Sequence, residues 1–175
     1  MQSGERGGEV MRALTLTQPW AGLVASGIKL VENRPRTMIK PQDFGKRFAI
    51  HASREIDHDV YARIAEIDPG LDLRKAQADA RWYHLSRITS AVIAVATIDK
   101  VLTGGWDADA IAEHAGALSF SNGELLGPSQ VRWFFGPVGY LLRDVVALRE
   151  PVPCRGALGF WTLPPDVERA VEAQL

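Results

Sequence analysis

Three charged side chains, Lys29, Glu32 and Arg34, fall within six residues of one another, set among Ile28, Leu30 and Val31. A lysine is a compact cation suited to phosphate or a polar base edge, and an arginine presents a fork to carboxylate or phosphate. A glutamate between them accepts from an amino group, or serves as a general base if its pKa suits. Trp20, just upstream, offers an apolar wall or a stacking face. The competing reading is structural: Glu32 and Arg34 stand at i and i+2 on a strand and pair with Lys29, while Trp20 packs inward.

A second set lies on the next predicted strand. From Arg47 to Ser53 the residues alternate, with Phe48, Ile50 and Ala52 on one face and Arg47, Ala49, His51 and Ser53 on the other. His51 is placed to enter a cleft or to remain solvated. Arg47 and Arg54 read as surface cations, with phosphate contact as the alternative. Trp133-Phe134-Phe135-Gly136, near Tyr140, forms either a stacking platform or a buried clasp. The sequence has no Gly-x-Ser-x-Gly and no His-Glu-x-x-His, and no cysteine nucleophile stands at a recognisable offset from a histidine. No zinc site is expected, and no cofactor is assigned.

The elements that must position these residues follow from pattern. Residues 12–16 suit a first strand. Thr17 is placed to cap a helix over 17–26, with Pro19 in its first turn, an apolar face of Trp20, Leu23 and Val24, and Gly27 as its stop. A strand over 28–34 follows. Strict alternation there puts Lys29 and Glu32 on opposite faces, so a shared site requires a twist or bulge. Residues 35–46 read as a loop. Helices are predicted over 56–67 and 72–86, broken by Asp68-Pro69-Gly70 and packed outside the sheet. Residues 88–101 form a long strand that needs a bend or bulge. A short helix runs from Asp107 to His114, residues 119–129 are a loop, and strands cover 138–149 and 157–163 around a turn at 150–156. A final helix opens at Asp166. Several non-consecutive strands with helical insertions favour an α+β domain with a small, twisted, mostly antiparallel β-barrel and helices outside it. No Gly-rich phosphate loop follows a strand, which disfavours a parallel doubly wound sheet.

The 175 residues suffice for one domain, read as 11–175, with 1–10 as a flexible lead and Met11 as a plausible start. Hydrophobic content of 46% and charge of 23% are ordinary for a globular protein. The net charge is −1, but residues 29–54 hold seven Lys or Arg against two Asp or Glu, a local excess of +5. That suits an anionic ligand of modest size better than long duplex DNA. The lone cysteine, Cys154, excludes an internal disulfide and fits a reducing, cytoplasmic setting. No apolar run is long enough for a membrane span, and the polar first ten residues lack a secretory h-region.

Gln18-Pro19-Trp20-Ala21 followed by Gly27-x-Lys29-x-x-Glu32-x-Arg34 resembles the signature of the ASCH domain, the activating-signal-cointegrator homology domain. Later blocks follow in the family's order: Gly45 through His51-Ala-Ser53, Ala91 to Val101 with Asp99 near its end, the stretch from Tyr140, Pro151-Val-Pro153, and Gly159-Phe-Trp161. The resemblance covers about 12–163. It implies a PUA-like barrel and a small basic cleft that holds RNA, single-stranded nucleic acid or a modified nucleoside or nucleotide. The ligand-binding residues it points to are Gln18, Pro19, Trp20, Lys29, Glu32, Arg34, His51, Ser53 and Arg54. Some small ASCH proteins are amidohydrolases that deacetylate N4-acetylcytidine with a lysine in the Gly-x-Lys turn and a threonine three residues later. Here Lys29 matches the lysine and Glu32 replaces the threonine, so the alternative is an amidohydrolase with Lys29 and Glu32 as its catalytic pair.

Overall fold

In a computed structural model, the described residues are 10–71, 81–104 and 119–175. They contain β1 (Arg12–Gln18), α1 (Trp20–Ala25), β2 (Val31–Arg34), β3 (Arg47–Ile56), α2 (Val60–Ile67), α3 (Arg81–Leu85), β4 (Ala91–Thr103), α4 (Pro128–Val131), β5 (Val138–Pro153), β6 (Phe160–Thr162) and α5 (Pro165–Glu172), with 3-10 turns at Pro41–Asp43 and Pro69–Leu71. The helix expected from Asp107 to His114, and the first part of the one expected over 72–86, lie outside the described residues.

The strands form one mixed sheet in the order β2-β5-β4-β3-β1-β6. β1 and β3 are parallel and the other pairings antiparallel. The α+β class and the mostly antiparallel sheet agree with the sequence. Barrel closure does not: among the described residues, β2 and β6 remain as hydrogen-bonding edges. A side chain instead links edge strand β2 to β1, the neighbour of the other edge strand. Arg34 on β2 donates through Nη2 to the Thr15 carbonyl of β1, at 3.0 Å.

The bend expected in the long strand is present. The β4–β5 ladder shifts register between Val92 and Ala94, Val95 and Thr97, and Ile98 and Lys100, and such bulges let a sheet coil. Leu14, Phe48, Ile50, Ile93, Ile98 and Leu142 pack on the inner face, together with Ala21 and Val24 of α1. Thus α1 packs against this face. The opposite face, with Ala13, Ala49, Val92 and Val95, is covered by Val167 and Val171 of α5. A third cluster joins Leu23 and Val31 to Ile64, Trp82, Trp133 and Phe134.

Several boundaries differ from the pattern for identifiable reasons. α1 begins at Trp20 without a side-chain cap from Pro19. Thr17 belongs to β1, and Oε1 of Gln18 accepts the Gly22 N–H at 3.0 Å in the role expected of Thr17. β3 runs to Ile56, so the first outer helix starts at Val60. β5 continues through the expected turn to Pro153, with Val152 buried opposite Val92 and Pro151 and Pro153 exposed. β2 pairs β5 only as far as Leu141. Beyond it β5 has no strand partner on that side among the described residues, and prolines without N–H donors are tolerated there.

Candidate functional site

The site is built on the turn after α1. Gly27 takes φ +77°, a left-handed value that favours glycine, and its N–H bonds the Val24 carbonyl at 2.9 Å. The next two amides, of Ile28 and Lys29, both reach back to the Leu23 carbonyl at 3.1 Å. Lys29 therefore lies in the turn, and β2 begins only at Val31. This resolves the facing problem: Lys29 is free of strand alternation, and its Nζ lies 2.8 Å from Oε2 of Glu32.

The other carboxylate oxygen of Glu32, Oε1, lies 3.2 Å from Nη2 of Arg34. Two cations share one carboxylate. Lys29 is 1% exposed and Glu32 7%, so their contact sits out of water, while Arg34 is half-buried. Burial lowers the pKa of Lys29 below its usual 10.5, and Arg34 adds to the lowering, while the charge and hydrogen bond of Glu32 oppose it. The Lys29 ammonium stands 5.6 Å from the centre of the Trp20 ring, a cation–π distance. Trp20 is half-buried and meets Trp133 edge-on at 6.4 Å and Phe135 at 5.9 Å. Nε of Arg34 and Nε1 of Trp133 are buried donors with no hydrogen-bond partner among the described residues.

Two residues that pattern alone did not single out hold this turn. Gln130 on α4 accepts the Leu30 N–H at 2.9 Å and donates to the Ile28 carbonyl at 3.0 Å, bracketing Lys29. Asn33 donates to the Trp133 carbonyl at 2.8 Å and accepts from the Phe135 and Gly136 amides at 3.1 Å. The only sequence signal for either was its polar type beside the charged triplet or the aromatic cluster. Of that cluster, Trp133 and Phe134 are fully buried, the clasp alternative, while Phe135 is half-buried under the Arg63 guanidinium, 4.3 Å from its ring centre.

The remaining predicted residues divide between architecture and a separate cleft. Gln18 is fully buried, and its amide is wholly engaged: Nε2 donates to the carbonyls of Leu85 at 2.7 Å and Ile88 at 2.6 Å. Pro19 is buried behind α1. His51, Ser53 and Arg54 line a cleft of about 890 Å³ together with Thr15 and the loop from Cys154 to Leu158. Neither Lys29, Glu32 nor Arg34 lines it. Thr15 is the link between the groups: its carbonyl receives Arg34 and its side chain faces the cleft. Among the described residues, no group of three or more His, Cys, Asp or Glu side chains could hold a metal ion, and no helix is long and apolar enough to cross a membrane.

No known family's sequence profile matches the chain, and no curated protein does. Among solved structures, the chain resembles the ASCH protein of Zymomonas mobilis at 18% identity and TM-score 0.49, over 93% of this chain and 94% of that one. Two point mutants of the same bacterial protein align at 17% and 16% identity, each with TM-score 0.48, covering 94% and 93% of this chain and 98% and 94% of theirs.

Proposed function

We propose that the protein is an ASCH-like binding module, with a PUA-like curled sheet, that holds a nucleotide, a modified nucleoside or a short single strand of RNA or DNA. The observation that carries this reading is the group of Lys29, Glu32 and Arg34, two cations on one carboxylate, with Lys29 and Glu32 buried and Arg34 half-buried. Its formal excess is one positive charge. Burying charges costs several kcal/mol per ion, by rough estimate, and well-packed apolar residues would tie a helix to a strand at least as well. Charge kept at that cost, with Nε of Arg34 and Nε1 of Trp133 as donors in search of an acceptor, suits an anionic or carbonyl-bearing ligand. Trp20, beside Lys29, supplies the apolar wall for a base. Gln18 and Pro19 shape the wall from behind, and His51, Ser53 and Arg54 extend the surface beyond Thr15. A cytoplasmic setting fits this ligand class.

The test is equilibrium binding of cytidine, its monophosphate, N4-acetylcytidine and a short single-stranded RNA. Lys29→Gln should weaken binding more than Lys46→Gln, because Lys46 is exposed and screened. Equal effects of the two, or no binding by any ligand, would sink the reading.

A second reading is favoured by the 2.8 Å Lys29–Glu32 contact and the lowered lysine pKa. Glu32 would take a proton from water as it adds to the acyl carbon of an N4-acylated cytidine, and Lys29 would stabilise the oxyanion. Glu32 would return the proton to N4 as the C–N bond breaks, giving the free amine and a carboxylic acid that ionises to the carboxylate. Under this reading Glu32→Gln abolishes turnover and leaves substrate affinity largely intact.

A further inference from the structure

The cleft beside Thr15 has a composition of its own. Arg54 on β3 and Arg155 on the β5–β6 loop both line it and are exposed, and neither has a hydrogen bond or ion pair among the described residues. Glu55 is the one acidic side chain among the described lining residues. On the inner wall His51 is 1% exposed, with Nε2 3.1 Å from the Cys154 carbonyl. A carbonyl only accepts, so Nε2 carries the hydrogen, and Nδ1 of the neutral ring is left as an acceptor. That Nδ1 is buried and has no partner among the described residues. Gly156 lies against it: a Cβ at Gly156 would stand 2.7 Å from Nδ1 and 2.9 Å from Oγ1 of Thr15. Trp161 fixes the arrangement by donating to the same Thr15 hydroxyl at 3.0 Å and by meeting the imidazole edge-on at 5.7 Å.

We propose that this cleft is a phosphate monoester site, in which Arg54 and Arg155 hold the phosphate and Nδ1 of His51 accepts a hydroxyl of the attached sugar. What the phosphate is attached to rests on the nucleotide reading above; the phosphate site itself does not. A phosphate monoester carries nearly two negative charges and three acceptor oxygens, a match for two guanidinium forks. The hydroxyl satisfies a buried acceptor that is otherwise without a donor.

Calorimetric titration compares cytidine with cytidine 5′-monophosphate, 5′-hydroxyl with 5′-phosphoryl short RNA, and a base-free pentose phosphate with inorganic phosphate. The expected result is a preference of about tenfold for each phosphorylated member of the first two pairs. The double variant Arg54→Gln with Arg155→Gln, both at exposed positions, should lose that preference. For the RNA, each lost contact should reduce the salt slope by about 0.7. His51→Phe, which keeps a ring against Trp161, should weaken pentose phosphate and leave inorganic phosphate unchanged. Equal binding of phosphorylated and unphosphorylated partners overturns the proposal, as does a phosphate preference that survives in the double variant. Pentose phosphate binding without any nucleoside or RNA binding supports this site and removes the nucleotide reading.

Discussion

Glu32 is the least replaceable member of the buried charged group, because it serves two cations. Replacing it with alanine strands Lys29 out of water and takes the carboxylate from half-buried Arg34, and breaking a buried pair costs about 3–5 kcal/mol. Lys29→Met leaves Glu32 paired with Arg34 and should cost far less. Urea denaturation of the two variants reads this asymmetry directly; equal losses would mean that the charges do not act as a group. The titration of Lys29 has a definite sign. Its native pKa lies below 10.5, so between that value and 10.5 the unfolded chain binds more protons than the native one. Stability should therefore rise with pH through this window, and Lys29→Met should flatten the rise. His51 follows the same logic at lower pH. Burial holds its native pKa below 6.5 against the Cys154 hydrogen bond, so its contribution is complete above 6.5 and is lost as pH falls through the native value. The difference in stability between wild type and His51→Phe, followed from pH 7 downward, should shrink accordingly.

At the scale of elements, α1 is the part on which the site depends, and it is barely two turns long. A helix so short is held by packing rather than by propensity. Gly22 lies against Ser86, the residue after α3: a Cβ there would meet Oγ, N and Cα of Ser86 at 2.4, 2.5 and 2.6 Å. Two of those atoms are backbone and cannot swing away. Gly22→Ala should push the helices apart at a cost of about 1–3 kcal/mol in chemical denaturation. Gln130 works on the other end of the turn. Gln130→Ala removes both hydrogen bonds that bracket Lys29, and should weaken ligand binding severalfold while the sheet amides keep their hydrogen-exchange protection. Unchanged affinity would show that the turn needs no support from α4.

For the whole molecule, the three apolar clusters draw on shared elements. β4 supplies Ile93 to the inner face and Val92 to the outer, and β5 supplies Leu142 to the inner cluster and Leu141 to the third. No cluster can be lost without exposing the reverse side of a strand that another cluster needs. Residues 11–175 should therefore unfold in one cooperative transition, with far-ultraviolet circular dichroism and tryptophan fluorescence superimposing. Two separated transitions would divide the chain into independent cores. Arg34 adds a restraint at this scale, since its bond to the Thr15 carbonyl joins β2 to β1, which is four places away in the sheet order.

Local chemistry was legible from the residues alone. The stop at Gly27, the faces of β3, the bulged β4 and the grouping of Lys29, Glu32 and Arg34 each depend on neighbours within a few positions, where propensity and periodicity act. The tertiary structure decided what those neighbours cannot report. The amide of Gln18 finds Leu85 and Ile88, Gln130 finds Ile28 and Leu30, and Arg34 reaches Thr15 across the curl of the sheet. It also decided that His51 turns toward Cys154 and Gly156, in a cleft that Lys29 does not line. Those pairings join residues up to about a hundred positions apart. They are selected by which faces must be buried together and which buried polar groups must find partners, and no local pattern encodes that choice.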